Sequence, residues 1–314
     1  MRFQRVAKTK KTRSAQLENQ RLPVLKTYKL FIGGAFPRTE SGRYYTPKAK
    51  GRPLGNFCLA SRKDLRNSVV AARSAHPGWA ARSGYNRSQI LYRMAEMLEG
   101  RHSQLVGELM LQGATNRQAV SEVNLSIERV VYYAGWCDKF QQVFSSVNPV
   151  ASQHFNFSLL EPTGVVFHVA SENQPLLGLV SLVLPIIASG NTVVCLASEN
   201  KPMSAITLTE VIATSDVPAG VVNVLTGQLE ELSAHFSGHL DINSLALNRF
   251  NSNQGNSTTR SIREKAVENL KRVKEYDQNW TPTDRQNPYL IADFCEVKTT
   301  WHPVEQIGAA GSPY

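Results

Sequence analysis

Apolar residues recur at helical spacing through the first half of the chain. Val69, Val70, Ala72 and Ala75 lead to Trp79; Ile90, Leu91, Met94, Met97 and Leu98 follow, then Leu105, Leu109 and Leu111. Val123, Ile127, Val130, Val131 and Ala134 continue the pattern within residues 119–140. Spacings of three and four place such residues on one helix face, so four amphipathic helices in succession are predicted, forming a helical layer without catalytic chemistry. Ahead of them, residues 29–34 (KLFIGG) predict a short strand closing on a Gly-Gly turn.

From Phe155 the period changes. Phe155, Phe157 and Leu159 alternate with polar residues, the pattern of an edge or arm strand. Continuous apolar runs then alternate with helical ones. Strands are predicted at 164–170 (GVVFHVA), 192–196 (TVVCL), 221–225 and 242–247, and helices from Pro175, over 203–213 and around 229–236. Strands apolar on every position are buried on both faces, so this half predicts a parallel sheet in an α/β fold. Residues 251–259 (NSNQGNSTT) read as a polar connector. A charged helix follows, with Ser261 and Glu264 as a capping box and Ile262, Ala266, Leu270 and Val273 on one side. Residues 289–302 (YLIADFCEVKTTWH) read as an extended closing strand.

The net charge of +10 suggests nucleic acid until it is localised. Residues 1–27 hold eight Lys or Arg and one acid, Glu18, so this basic flexible tail carries most of the excess. Nucleic-acid binding is therefore not expected. The tail lacks an apolar core of the secretory type; a transit peptide or a docking arm are the alternatives for it. The longest apolar run, Pro175 to Ser189, is too short to span a bilayer and is read as a buried helix. Cys58, Cys137, Cys195 and Cys295 form no CxxC pair, which predicts neither a disulfide framework nor a zinc site and fits a reducing, cytoplasmic setting.

Several stretches then become specific. Glu161-Pro162-x-Gly164-Val165-Val166, Asn173-x-Pro175, residues 190–194 (GNTVV) and residues 217–227 (VPAGVVNVLTG) resemble the aldehyde dehydrogenase superfamily in kind and order. So do residues 75–79 (AHPGW), Arg87-x-x-Ile90-Leu91-Tyr92-Arg93 and residues 133–136 (YAGW). More narrowly, the chain resembles the degenerate C-terminal half of the family-sixteen aldehyde dehydrogenases. The resemblance implies an N-terminal helical layer plus a Rossmann-like parallel sheet over residues 28–250. Residues 251–314 then hold the connector, helix and a retained oligomerisation strand, and the catalytic domain is missing.

The resemblance also assigns roles. The family's oxyanion amide falls on Asn173, although Ser171 and Glu172 stand where the family has Pro and Trp. A helix cap near Pro175 is the preferred alternative for Asn173. Of the ribose-binding Lys-Pro-Ser-Glu, Glu199 remains, while Leu196 replaces the Lys. The pyrophosphate turn reads Leu247-Asn248-Arg249-Phe250, with Phe250 in the approach. Asn173, Glu199 and Gly227 are thus a vestigial cofactor set; no cofactor is expected, with NAD(P) the alternative. The Glu-Leu-Gly-Gly segment and Gly-Gln-x-Cys loop that carry the family's base and nucleophile have no counterpart after Phe250, and each of the four cysteines reads as a small buried hydrophobe.

The closing strand and the 153–160 arm resemble the family's assembly strands. They imply a non-catalytic subunit that pairs with itself or with a full-length aldehyde dehydrogenase. The alternatives are an NAD(P)-dependent oxidoreductase acting on aldehydes through an unusual thiol, a dinucleotide-binding module without turnover, and a monomer whose two strands close an internal sheet.

Overall fold

The computed structural model describes residues 24–248 and 253–304, apart from the side chains of 253–256. The expectations placed on residues 1–23, on Arg249 and Phe250, and on the chain after Val304 lie outside this range. Small strands open the described chain: β1 (Thr27–Tyr28), β2 (Tyr44–Tyr45), β3 (Lys48–Ala49), β4 (Arg52–Pro53) and β5 (Asn56–Cys58). Residues 31 and 32 make only isolated bridges, Phe31 to Val224 and Ile32 to Ala35, so the segment closes on the expected turn at Gly33 and Gly34 without forming the predicted strand. Four helices follow: α1 (Arg62–Ala80), α2 (Gly84–Glu99), α3 (His102–Leu111) and α4 (Asn116–Trp136). Capping boxes start two of them, Ser61 with Asp64 and Thr115 with Gln118. Short α5 (Phe140–Phe144) and β6 (Ser146–Asn148) lead into β7 (His154–Pro162).

The alternating half follows as β8 (Val165–Val169), α6 (Leu177–Ala188), β9 (Thr192–Leu196), α7 (Met203–Ala213), β10 (Val222–Leu225), α8 (Leu229–Ser237) and β11 (Ser244–Asn248). The chain continues with α9 (Asn253–Val267), β12 (Arg272–Tyr276), α10 (Tyr289–Ala292) and β13 (Cys295–Pro303). Five parallel strands form one sheet in the order β10-β9-β8-β11-β12. Side chains alternate between its faces. Val166, Val193, Cys195 and Ala246 pack with α2, α4 and α6, while Phe167, Val194, Leu196 and Leu245 pack with α1, α8 and α9. This alternation explains why the strands are apolar throughout. It also corrects the single four-helix layer: Leu65, Val69 and Ala72 hold α1 against the opposite face from α2 and α4.

Three readings of the C-terminal region are corrected. Helix α9 begins at Asn253, so most of the expected connector is helical, and Ser261 lies inside the helix rather than at its start. Leu270 and Val273 are not on that helix. Leu270 sits in a left-handed turn (φ +55°), and Val273 belongs to β12, a fifth parallel strand that extends the sheet beyond residue 250. The closing run is not extended throughout, because Tyr289–Ala292 turns as α10 before β13.

The arm is corrected as well. Strand β7 is the centre of a three-stranded antiparallel sheet, order β13-β7-β6, not an edge. It pairs with β13 over nine residues of the same chain, from Cys295 opposite Pro162 to Pro303 opposite His154.

Candidate functional site

Strands β8, β9 and β10 run to one side of the sheet and β11 and β12 to the other, so the chain reverses its direction of travel between β8 and β11. Loops leaving such a point diverge and open a crevice at the carboxyl ends of the strands. The loop after β8 carries Glu172, Asn173 and Gln174 to this place. A cleft of about 820 Å³ lies there, bounded by that loop, the turn between α3 and α4, Lys201, and residues 278, 279 and 281.

Helix α6, buried along its whole length, begins two residues after Pro175 of the cleft wall. Its first N–H groups have no partners within the helix. Glu122 on α4 supplies them: Oε1 accepts from the N–H groups of Leu176 and Leu177 at 2.9 and 3.1 Å. At the other end, Trp79 Nε1 donates to the Ile187 carbonyl and Arg87 Nε to that of Ala188. An anion at the start and a cation at the end complement the helix dipole. Trp79 and Arg87, two residues that carry the resemblance, therefore have structural work. So does Asn191, which accepts from the Gly164 N–H and donates to the Phe294 carbonyl. Gly220 must be glycine: its φ is +88°, and a Cβ would meet the Ala71 carbonyl oxygen at 2.6 Å.

Asn173 does not cap α6, correcting the preferred reading. It lies at the cleft wall, exposed, and its N–H donates to Ser171 Oγ at 3.2 Å. The helix begins four residues later, beyond its reach, and Glu122 already holds the end.

Glu199 and Gly227 lie elsewhere along the strand ends. Glu172 fills the loop that precedes α7: its carboxylate accepts from the Glu199 N–H at 2.7 Å, the Ser198 hydroxyl at 2.8 Å and the Asn200 side-chain amide at 3.1 Å. Glu199 Oε1 accepts from Gln228 Nε2 at 3.3 Å. Burial pushes the Glu199 carboxyl up, and the charges of Glu172 and Glu230 push it the same way. Burial foremost, then Glu199 and Glu172, push the Tyr45 phenol up as well. Two carboxylates and a phenol therefore meet where the resemblance puts a ribose next to a diphosphate, a poor setting for an anion. Gly227 packs on the backbone of Ala60, where a Cβ would come within 3.2 Å of its nitrogen.

Beyond β11, Asn248 donates to the Val169 carbonyl and accepts from Trp280 Nε1, both at 2.9 Å. The Trp280 N–H donates to Gln174 Oε1 at 2.6 Å, and its ring would lie 3.2 Å from a Cβ on Gly178. The segment after β12 thus lies over the start of α6. It reads Asp277-Gln278-Asn279-Trp280, with no Glu-Leu-Gly-Gly.

All four cysteines are buried. Burial pushes the thiols of Cys137 and Cys295 up to about 12 and that of Cys195 up as well. Their sulfurs serve locally: Cys137 donates to the Tyr133 carbonyl and Cys295 to that of Ile291. None of the four lines the cleft with Asn173. Among the described residues no cluster of three His, Cys, Asp or Glu could hold a metal, and no helix is long and apolar enough to cross a membrane.

Sequence reasoning missed Glu122 and Arg129, both buried on α4. Their signal was a charge on the helical face shared by Ala119, Val123, Val130 and Tyr133.

The aldehyde dehydrogenase family model matches residues 37–275. Cytosolic 10-formyltetrahydrofolate dehydrogenase of Mus musculus is 30% identical over 230 residues, 71% of this chain and 26% of that protein. DhaS of Bacillus subtilis (strain 168), which bears an aldehyde dehydrogenase name, is 32% identical over 229 residues, covering 70% and 45%. Among solved structures, the NAD+ complex of aldehyde dehydrogenase from Bacillus cereus superposes with a TM-score of 0.75 at 26% identity, covering 80% of this chain and 51% of that one. PnpE from Pseudomonas sp. WBC-3 gives 0.75 at 28%, covering 80% and 50%. The chain spans about half the length of these solved relatives. It belongs to the aldehyde dehydrogenase family.

Proposed function

We propose that this chain is a non-catalytic member of the family, akin to the degenerate half of family sixteen, and that it acts as an assembly subunit. It pairs through its arm sheet with a second copy or with a full-length aldehyde dehydrogenase. The observation that carries this reading is the arm itself. Strand β13 presents a nine-residue outer edge, and an open edge of that length recruits another strand. One face of the sheet exposes Phe155 (47%) and Leu159 (40%) beside Val147, and the other exposes Trp301 (58%) and Val297. Apolar surface of this kind, beside an unpaired edge, belongs to an interface.

The strand ends support the non-catalytic half of the reading. The thiols are buried away from Asn173, and Glu172 occupies the backbone amides of the loop that carries Glu199. Trp280 lies over the start of α6.

Size-exclusion chromatography with light scattering tests the assembly, first on the chain alone and then with a full-length aldehyde dehydrogenase from the same organism. A dimer, or a joint species, is expected. A monomer that ignores the enzyme would overturn the reading. NAD-dependent aldehyde oxidation by the purified chain, lost when its cysteines are replaced, would overturn the non-catalytic half.

A further inference from the structure

We propose that the cleft at the start of α6 binds a small organic anion, a carboxylate-bearing molecule with further acceptor oxygens. This goes beyond assembly and stands independently of it. The cleft's size, about 820 Å³, falls within the usual range of ligand sites, about 300–1,000 Å³. Its lining is unlike that of an apolar pocket, since amides and hydroxyls outnumber the few aliphatic positions.

Charge decides the sign of the ligand. Arg117 and Lys201 line the cleft, and neither enters an ion pair among the described residues. Glu122 is the single acid in the lining, and its Oε1 is committed to the Leu176 and Leu177 N–H groups. The balance is one positive charge: Lys201 acts on Glu122, and Arg117 is left to meet an anion.

A buried donor gives a second and independent indication. Gln112 lines the cleft and is 4% exposed. Its Oε1 accepts from the Met203 N–H at 2.8 Å, which fixes the other end as the amide nitrogen. That Nε2 has no hydrogen-bond partner among the described residues. A buried donor without an acceptor is costly, and a ligand oxygen would relieve it once a small turn of the Gln112 side chain opens Nε2 to the cleft. Asn173 and Ser121 add further polar groups on the wall.

The walls are already set. Gln174 bridges to the Trp280 N–H through Oε1 and to the Thr281 hydroxyl through Nε2, joining the loop after β8 to the segment after β12. Glu122 joins α4 to α6. A ligand would enter a formed site rather than order one.

Isothermal titration calorimetry on the whole chain tests the proposal, with citrate, succinate and inorganic phosphate as anions and hexanal as the apolar control. Citrate or succinate is expected to bind once per chain. Lys201→Met and Arg117→Met each weaken that binding about tenfold, the effect of one charge-assisted contact. Gln112→Glu keeps the acceptor for Met203, removes the donor and weakens binding as well. Saturation by phosphate alone would replace the carboxylate with a phosphoryl group and overturn the class proposed. Binding of hexanal but of no anion, binding of none of the four, or citrate binding unchanged in the Lys201→Met/Arg117→Met double variant would each overturn the site.

Discussion

The Arg129 guanidinium donates to the backbone carbonyl of Trp280 at 2.9 Å, tying the middle of α4 to the segment that follows the fifth strand. It also donates to Ser181 Oγ at 3.1 Å and to the Arg285 carbonyl at 3.0 Å. Among the described residues no carboxylate pairs with it, and burial lowers its proton affinity. This one side chain holds the turn from β12 to α10 against the helical face.

Replacing Arg129 with Met should therefore destabilise the chain by about 3 kcal/mol, since three acceptors, two of them buried, lose their donor at once. Arg129→Lys should recover little, because one ammonium cannot reproduce the planar fork. Urea unfolding of the three proteins checks this. A Lys variant as stable as the original would show that charge alone suffices.

Glu122 makes stability depend on pH. Burial pushes its carboxyl up, more than the Leu177 and Leu176 N–H groups lower it. A carboxyl raised in the folded state holds its proton longer than in the unfolded chain. Its favourable contribution is present below the unfolded value of 4.5 and is lost as pH rises through the folded one. Glu122→Gln keeps an acceptor for α6 and does not ionise. The variant should thus gain in melting temperature relative to the original as pH rises from about 4 to about 7. A constant difference across that range would count against the assignment.

The cysteines should be silent. With thiols buried and those of Cys137 and Cys295 pushed up to about 12, the folded chain should react slowly with an aromatic disulfide at neutral pH and release four equivalents after denaturation. Fast labelling of one thiol in the native chain would revive a catalytic role for it.

The arm should be sensitive to charge. Leu159→Lys on one face of the sheet and Trp301→Glu on the other place charges on surface assigned here to a partner. Whichever face is covered, its variant should weaken association by about tenfold or more while leaving the melting temperature of the separated chain nearly unchanged. Light scattering across a dilution series measures it. Equal association for both variants would move the interface elsewhere.

Much of the fold is legible in the residues. Four helices follow from a period of 3.6, the arm from a period of 2, and four of the five sheet strands from continuous apolar runs, because each buries a contiguous apolar set. Strand β12 is not legible in this way. Its residues Arg272, Lys274 and Glu275 look like a helical surface, and they find Glu296, Asp293 and Arg263 only once the sheet has formed. An edge strand needs one hydrogen-bonded neighbour and no apolar run, so nothing local marks it.

The candidate site divides similarly. Asn173 and Glu199 could be named from the motifs, and the substitutions around them could be read as losses. That Glu172 would occupy the amides of the loop before α7, or that Glu122 rather than Asn173 would cap α6, depended on contacts 26 to 55 positions apart in sequence. The sequence by itself determined the family and the order of the four helices, the arm and four strands of the sheet. Those are properties of local pattern and order along the chain. The tertiary structure alone decided that α1 crosses to the other face of the sheet, that β13 pairs with β7 in the same chain, and that the cleft beside Asn173 holds an amide nitrogen without a partner among the described residues. Which buried polar groups find partners depends on distances between elements, and those exist only when the sheet and its helices are packed.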